Sequence, residues 1–371
     1  MLKTQKISLA VCGLVLSSTM AFGADSIDAA FKEGKVSGSL NLYGVNQNNS
    51  GSTADSGFSS ADIELGFETA TYNGFSGKVG FVGAHVIDEN GSTDADDIAS
   101  KSLLTEASIT YGIEGASLTV GRQAVDLEWM GDYQEAAVAA ITAVPNTTIV
   151  LGFTDKMAVA GVDEISEKFS EVNGTKGAYV ADIKYTGLEG FEFNPYYYTA
   201  PDAFDFVGLK TTYSSDLFGA VAHYASSDVD TTWGTTNSKE DGSIAHVELN
   251  TTLAGVSLAA GYIKTDKNGG VGAMDSLGDN ISPFEDGNQV YEADARTTYG
   301  SIGYSLFGID LGALYGQTTY GTADDKEKEL NLTAEYAITD SLGVSVLYAD
   351  VNAEASTDDY NKVLGTVTYS F

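Results

Sequence analysis

The chain alternates apolar and polar residues with a period of two from Lys35 to its end, and no other feature constrains its fold as much. In KVSGSLNLYG, from Lys35, small or apolar residues occupy every second position, and in DIELGFE, from Asp62, apolar residues alternate with Asp, Glu and Gly. Such alternation is typical of strands whose two faces meet different environments. After residue 23, no uncharged apolar run approaches the ~18 residues of a membrane helix. Any membrane crossing must therefore be made by strands.

One face of these predicted strands is consistently apolar. A soluble β-sandwich or solenoid with one solvated face would carry mixed or charged residues there, whereas strands that face lipid would not. The pattern therefore favours a membrane protein. The apolar face includes Phe75, Val79, Phe81, Ile149, Leu151, Phe153, Tyr179, Ile183, Val256, Leu258, Val344 and Val346.

Two kinds of connection separate the predicted strands. Short ones contain Gly, Asn or Asp, as in TYNGFSG and YTGLEGF, and long ones are polar and acidic, at residues 88–100, 160–176, 226–241, 266–294 and 350–361. Short periplasmic turns and long extracellular loops are typical of an outer-membrane barrel. The predicted fold class is all-β, a transmembrane antiparallel β-barrel.

The strand count depends on the segment EAAVAAITAVPNTTIVLGF. Bacterial single-chain barrels have an even number of strands, and counting this segment as one strand gives an odd number. We therefore predict a descending strand over about 136–144, a turn at Pro145 and Asn146, and an ascending strand over 147–157. The total becomes about 18 strands, or about 16 if one weak segment is a loop.

The N-terminus has the pattern of a secretory signal peptide. Two lysines precede an apolar run, and small residues up to Gly23 suit signal peptidase. We predict a signal peptide at 1–23, a short periplasmic segment at 24–34 and the barrel at 35–371. The one cysteine, Cys12, lies in the apolar run, so the mature chain is predicted to have no disulfide. A lipoprotein signal is disfavoured because bulky Val11 precedes Cys12.

Composition excludes several functions. The chain has 19 Lys and Arg against 52 Asp and Glu, a formal net charge of −33, which repels nucleic acid. With three histidines and no nucleophile, zinc-protease or phosphate-loop motif, we predict neither enzymatic activity nor a cofactor. The acidic loop DENGSTDADD, from Asp88, lacks EF-hand spacing, although weak divalent cations bridging such loops to lipopolysaccharide are compatible with it.

One predicted loop, DLEWMGDYQE, carries aromatic residues among acids. Aromatic side chains are unfavourable in a solvated loop, so we predict that this loop folds into the barrel and constricts it; the alternative is an extracellular loop with incidental apolar residues. Arg122 alternates with Leu118 and Val120 toward lipid, so we expect either a bulge at Gly121 that turns it inward or a position above the bilayer. The candidate constriction residues are Arg122, Asp126, Glu128, Trp129, Asp132, Tyr133 and Glu135.

Alternation also places charged side chains on the inward face. Charge on this face controls the passage of solutes through a pore. The alternative for any one of these groups is an ion pair that has no effect on passage. Three of the lysines fall on neighbouring strands and predict a basic arc opposite acidic walls. The candidate lining residues are Asp62, Glu64, Glu68, Lys78, Glu106, Lys156, Asp182, Lys184, Glu192, Lys210, His246, Glu248 and Glu335.

The chain ends in an aromatic strand. Tyr369 and Phe371 face lipid by alternation, and the terminal Phe resembles the signal that barrel-insertion machinery recognises. Tyr369 also continues a set of tyrosines placed just before short turns, where interfacial aromatic girdles lie. The other members of this set are Tyr72, Tyr111, Tyr185, Tyr213, Tyr304 and Tyr336.

Three segments resemble a known family. AFKEGKVSGSLNLYG, LTVGRQAVDLEWMGDYQEAAVAAITAVPNTTIVLGFTD and the final TYSF look like the Opr-type (OprD-like) porins of Gram-negative outer membranes. The resemblance implies an 18-stranded barrel, homotrimers, and passive diffusion of small water-soluble solutes past a basic ladder that favours anions. This sequence departs from the pattern because Arg122 and Arg296 are its only arginines. We therefore expect a neutral or cation-favouring pore; the alternative is a structural or adhesive barrel with a closed lumen.

Overall fold

The computed structural model describes residues 23–371, so the predicted signal peptide lies outside it except for Gly23. Over that range no helix is long and apolar enough to span a membrane. The elements are α1 (Ile27–Lys32), β1 (Lys35–Asn49), β2 (Ser56–Glu68), β3 (Phe75–Glu89), β4 (Ser102–Ile113), β5 (Ala116–Ala124), β6 (Tyr133–Ile141), β7 (Thr147–Ala158), β8 (Ser170–Glu171), β9 (Ala178–Leu188), β10 (Phe191–Ala200), β11 (Phe204–Ser214), β12 (Gly219–Val229), α2 (Thr231–Asn237), β13 (Gly242–Leu253), β14 (Val256–Thr265), β15 (Arg296–Leu306), β16 (Ile309–Tyr320), β17 (Asp325–Ala337), β18 (Leu342–Asn352) and β19 (Tyr360–Ser370).

The strands form one closed antiparallel ring. Each long strand pairs with the next, and β19 returns to β1 in a register that runs from Ser39 opposite Ser370 to Asn49 opposite Tyr360. The two-residue β8 pairs with β7 at residues 156 and 157 of β7. From Thr147 to Thr154, β7 pairs with β9. The barrel therefore has 18 strands, which confirms the predicted fold class and not the 16-strand alternative.

The two ends of the barrel differ as expected. On the side of the chain termini the strands are joined by short turns, such as residues 114–115, 189–190 and 307–308. On the other side lie loop 3 (125–132), loop 4 (159–177), loop 6 (230–241) and loop 7 (266–295). The predicted starts of three loops, at residues 88, 226 and 350, are too early, because β3, β12 and β18 continue to Glu89, Val229 and Asn352.

The outer face of the barrel is apolar and carries aromatic residues near the turns. Leu42 and Val346 are about half exposed to the surroundings of the barrel, as lipid-facing side chains must be. Five of the seven predicted girdle tyrosines are 42–46% exposed, whereas Tyr72 and Tyr213 are partly covered. The exposed five are Tyr111, Tyr185, Tyr304, Tyr336 and Tyr369.

A large hydrophobic core lies inside the barrel. Wall residues of β6–β16, such as Val138 and Phe206, pack against apolar side chains of loops 3 and 7. Trp129 of loop 3 and Met274 of loop 7 are fully buried. The inward-folded loops thus fill one side of the space that the strands enclose.

Strand β5 leaves its neighbour β4 at Gly121. The β4–β5 ladder ends where Ala107 pairs with Arg122, but β5 stays paired with β6 up to Ala124 opposite Tyr133. Gly121 has φ +121°, and a Cβ there would lie 2.2 Å from the Ala107 carbonyl oxygen. Only glycine fits this close approach, which lets the top of the β5–β6 hairpin diverge from the wall.

Gly121→Ala is expected to destabilise the barrel by roughly 1–3 kcal/mol, because alanine is strained at this φ and its Cβ collides with β4. Urea unfolding of the protein in lipid vesicles measures the change. Gly112→Ala is the matched control, since nothing lies within 4 Å of a Cβ at that position of β4. Equal stabilities for both variants would contradict this account of the divergence.

The terminal Phe371 closes the seam of the barrel. Its backbone N–H donates to the Gly38 carbonyl, and the Gly38 N–H donates to the Phe371 carbonyl, both at 3.1 Å. Deletion of Phe371 is expected to lower the amount of folded barrel recovered from outer membranes, because this pair and the terminal aromatic are both lost. Heat-modified mobility on gels measures the folded fraction. Phe371→Tyr should assemble normally, and undiminished assembly of the deletion would disprove the role of the terminus.

Candidate functional site

Loop 3 is packed inside the barrel by its apolar residues. Val125, Leu127, Trp129 and Met130 are at most 7% exposed. The indole Nε1 of Trp129 donates to the Tyr196 hydroxyl at 2.7 Å. The structure therefore places the aromatic part of the predicted constriction against the wall at β10.

Loop 7 packs on loop 3. The Gly131 N–H donates to the Leu277 carbonyl at 3.0 Å, and the Asn280 amide donates to the Leu127 carbonyl at 3.0 Å and reaches Asp126 at 3.4 Å. The two loops therefore form one inner layer, and each covers apolar side chains of the other. The predicted residue Asp126 lies at this contact.

The middle of loop 7 is fastened to the wall at β17 and β19. Glu329 of β17 accepts hydrogen bonds from the backbone N–H groups of Asp286 and Gly287, at 3.0 and 2.8 Å. Lys362 of β19 pairs with Asp286 at 2.5 Å and with Glu285 at 3.6 Å. Loop 7 therefore extends from its root at β14 and β15 to contacts on β17 and β19.

The root of loop 7 is ordered by Asp266. Its carboxylate accepts from the backbone N–H groups of Asn268 and Gly269, and these bonds hold the pKa of the carboxyl below its usual range. A lowered pKa stabilises the folded loop above the ordinary Asp pKa, and that contribution is lost as the pH falls through the lowered value. Farther along the loop, burial raises the pKa of Tyr291, whose hydroxyl donates to Asp279.

A chain of polar groups ties loop 3 to β10, β11 and β12. The Tyr196 hydroxyl accepts from Trp129 and is also hydrogen-bonded to His223 Nε2, at 2.6 Å. His223 Nδ1 lies 3.6 Å from Glu128 Oε1. The other oxygen of Glu128 accepts from Lys210 at 2.7 Å. Glu128 is thus ion-paired with one lysine of the wall.

Arg122 and Lys156 share the carboxylate of Glu135. The Arg122 Nε and Lys156 Nζ atoms lie 2.8 and 3.1 Å from its two oxygens. The guanidinium also lies 4.2 Å from the centre of the Phe169 ring of loop 4, a cation–π contact. Arg122 therefore contacts protein rather than lipid. The expected bulge at Gly121 is wrong, since neither the β4–β5 nor the β5–β6 register has an inserted residue there.

The remaining predicted residues lie on the wall, except Asp132 of loop 3. Glu106 pairs with Lys78 at 2.9 Å, and Tyr133 packs partly buried against the cluster that contains Phe169. Asp132 has a positive φ of 59° at the end of loop 3. Glu68, Lys184, Glu192 and Glu335 lie toward the periplasmic ends of their strands.

Several wall carboxylates are held by neutral donors. Asp62 accepts from the Asn41 amide at 2.7 Å, and Asp182 accepts from Asn194 at 2.9 Å. Glu248 accepts from the Tyr299 hydroxyl at 2.7 Å, and Tyr299 is also hydrogen-bonded to His246. These hydrogen bonds orient the carboxylates.

An acidic edge near β1 and β2 was not predicted from the sequence. Ser60 of β2 donates to the Val162 carbonyl at 3.0 Å, which brings the tip of loop 4 to the wall. Asp163, Glu285 and Asp286 all lie close enough to the Tyr43 hydroxyl to interact with it electrostatically. Loops 4 and 7 therefore bring acids together from distant parts of the chain.

The acidic loop after β3 is tied down by hydrogen bonds. Asp94 accepts from the backbone N–H groups of Gly57 and Gly91, at 2.8 and 2.9 Å. Among residues 23–371, no group of three or more His, Cys, Asp or Glu side chains could hold a metal ion.

The fold, but not the sequence, matches known proteins. No protein-family model and no curated protein matches the chain. The crystal structure of Pseudomonas aeruginosa OpdO has a TM-score of 0.77 at 14% identity, covering 92% of this chain and 98% of that one. Acinetobacter baumannii OccAB4 gives 0.75 at 14%, covering 91% and 98%, and Pseudomonas aeruginosa OccK8 (OprE) gives 0.74 at 14%, covering 92% and 99%. The chain has the outer-membrane β-barrel fold of OprD-type porins, which confirms the resemblance at the level of the fold.

Proposed function

We propose that this protein is a porin, a water-filled channel through which small hydrophilic solutes and ions diffuse passively across the outer membrane, and that it favours cations or neutral solutes. The observation that carries the proposal is that five inward-facing cations are paired with acids. Lys78, Arg122, Lys156, Lys210 and Lys362 each have a carboxylate within 4 Å.

This pairing changes the sign of the field that a solute meets. A basic ladder attracts anions only if its charges are not already compensated, and here acids of loop 3, loop 7 and the wall compensate them. Asp62, Asp182 and Glu248 accept hydrogen bonds from the neutral side chains of Asn41, Asn194 and Tyr299. The remaining net field is negative, which supports cation preference.

The inner layer of loops 3 and 7 narrows the passage. Its fully buried residues Trp129 and Met274 show that this layer is packed like a protein core. Solutes would therefore pass beside it, along the wall that carries Asp62 and the acidic edge at Asp163 and Asp286. The same packing is compatible with the alternative, a structural or adhesive barrel with a closed lumen.

The proposed partners follow from the barrel. The apolar outer face fits outer-membrane lipids and lipopolysaccharide, and the aromatic terminus fits the barrel-insertion machinery. A homotrimer is proposed from the family resemblance. We propose no enzymatic activity, because His223 and His246 are engaged in hydrogen bonds with tyrosines of the wall.

Purified protein in a planar bilayer with a KCl gradient is expected to give single-channel current steps. The reversal potential is expected to have the sign of the K⁺ equilibrium potential. The physical reason is the uncompensated negative charge of the wall. A reversal potential set by Cl⁻ would overturn the cation preference. Correctly folded barrels that give no steps would support the closed-lumen alternative instead.

Glu135→Gln is expected to lower the K⁺ to Cl⁻ permeability ratio, because it leaves Arg122 and Lys156 uncompensated. A unit charge about 4 Å from an ion in water changes its energy by about 1 kcal/mol, so a change of roughly fivefold is expected. Glu128→Gln should act in the same direction through Lys210. Asp340→Asn, in a turn at the periplasmic end, is the charge-matched control. Unchanged ratios in both variants would show that these pairs do not face the ion path.

A further inference from the structure

The segment before β1 is held against the barrel wall. The Ala24 N–H donates to the Thr71 carbonyl at 2.8 Å, and the Ala70 N–H donates to the Ala30 carbonyl at 2.9 Å. Ala24 and Ala30 are buried. These contacts fix α1 beside the turn between β2 and β3, on the side of the chain termini.

An aromatic contact places α1 on the outer, lipid-facing surface. The Phe31 ring stacks on Phe67, with centroids 6.1 Å apart and an angle of 19°. Phe67 pairs with Val36 and Val79, whose side chains are exposed on the outer face. A Cβ at Gly34 would lie 2.5 Å from the Phe67 ring, so glycine lets the chain pass over it from α1 into β1.

The free side of α1 is apolar. Ile27 and Phe31 are 63% and 59% exposed, and a spacing of four residues puts them on one face of the helix. Asp28 and Lys32 follow them by one position each and present charge beside this face. A small helix with a large apolar face and flanking charges is typical of segments that lie in a membrane interface.

We propose that α1 is an interfacial anchor, and that Ile27 and Phe31 insert into the periplasmic leaflet of phospholipid at the boundary between headgroups and acyl chains. The argument is continuity: through Phe67, Phe31 joins the lipid-facing surface of the barrel at the level of the aromatic girdle. Asp28 and Lys32 then lie among the headgroups. The inference does not depend on whether the barrel conducts.

A second protein chain fits this face less well than lipid. A stable protein interface buries about 800 Å² on each partner, and two side chains on a six-residue helix offer far less. Lipid needs no such area, because the neighbouring barrel surface already binds it.

Spin labels test the proposal directly. Nitroxides are attached at Ile27→Cys and Phe31→Cys, with Asp28→Cys and Lys32→Cys as controls from the same helix, and the exported protein is placed in phosphatidylethanolamine–phosphatidylglycerol vesicles. Because Cys12 is the only cysteine in the sequence, the unsubstituted protein, labelled in parallel, reports any background. Power saturation measures the collision of each label with oxygen, which enters lipid, and with a water-soluble nickel chelate.

The ratio of oxygen to nickel accessibility is expected to be several-fold higher at 27 and 31 than at 28 and 32. Nickel-dominated relaxation at all four positions would overturn the proposal and place α1 in water. Exclusion of both reagents with spin–spin broadening would overturn it in favour of a contact between copies. If the cysteine variants fail to fold, Phe31→Trp is used instead, because tryptophan keeps the aromatic stack on Phe67. Brominated phospholipid must then quench the tryptophan fluorescence of this variant more than that of the unsubstituted protein.

Discussion

The structure depends on closing the backbone hydrogen bonds into a ring. In hydrocarbon an unpaired N–H or C=O group is costly, so a sheet can enter lipid only if its first and last strands pair. Here β19 pairs with β1 along its length, and Phe371 and Gly38 complete the ladder at the chain end. The closed ring then fixes the other properties: an even number of strands, both termini on one side, and side chains that alternate between lipid and interior.

The interior of the barrel keeps apolar loop residues away from water. A polar lumen would expose Trp129, Met274 and Val290, yet each of them is fully buried. Loops 3 and 7 avoid this exposure because they pack on each other and on one side of the wall, which leaves the polar groups of the other side to water. The barrel therefore contains both a protein core and a charged surface within one ring.

Local periodicity predicted the strands, but it did not predict contacts between distant parts of the chain. The strand count and the outward position of Tyr369 follow from a period of two, and the indole of Trp129 indicated an inward loop. The partners of that loop, such as Leu277, and the acids Asp163 and Asp286 meet only after chain segments far apart fold together, so no pattern marks them. Arg122 shows how alternation can mislead: it predicts a side chain toward lipid, but β5 leaves β4 at Gly121 and Phe169 covers the guanidinium.

Loop 7 also has a mechanical consequence. A thin cylindrical wall resists bending across its diameter poorly, since adjacent strands can hinge about their hydrogen bonds. Loop 7 runs from its root at β14 and β15 to loop 3, which joins β5 to β6 on the far side of the ring, and it is also fastened to Glu329 on β17 and Lys362 on β19. It acts as a strut between distant sectors of the ring. These inner contacts brace the wall from within against lateral pressure from the bilayer.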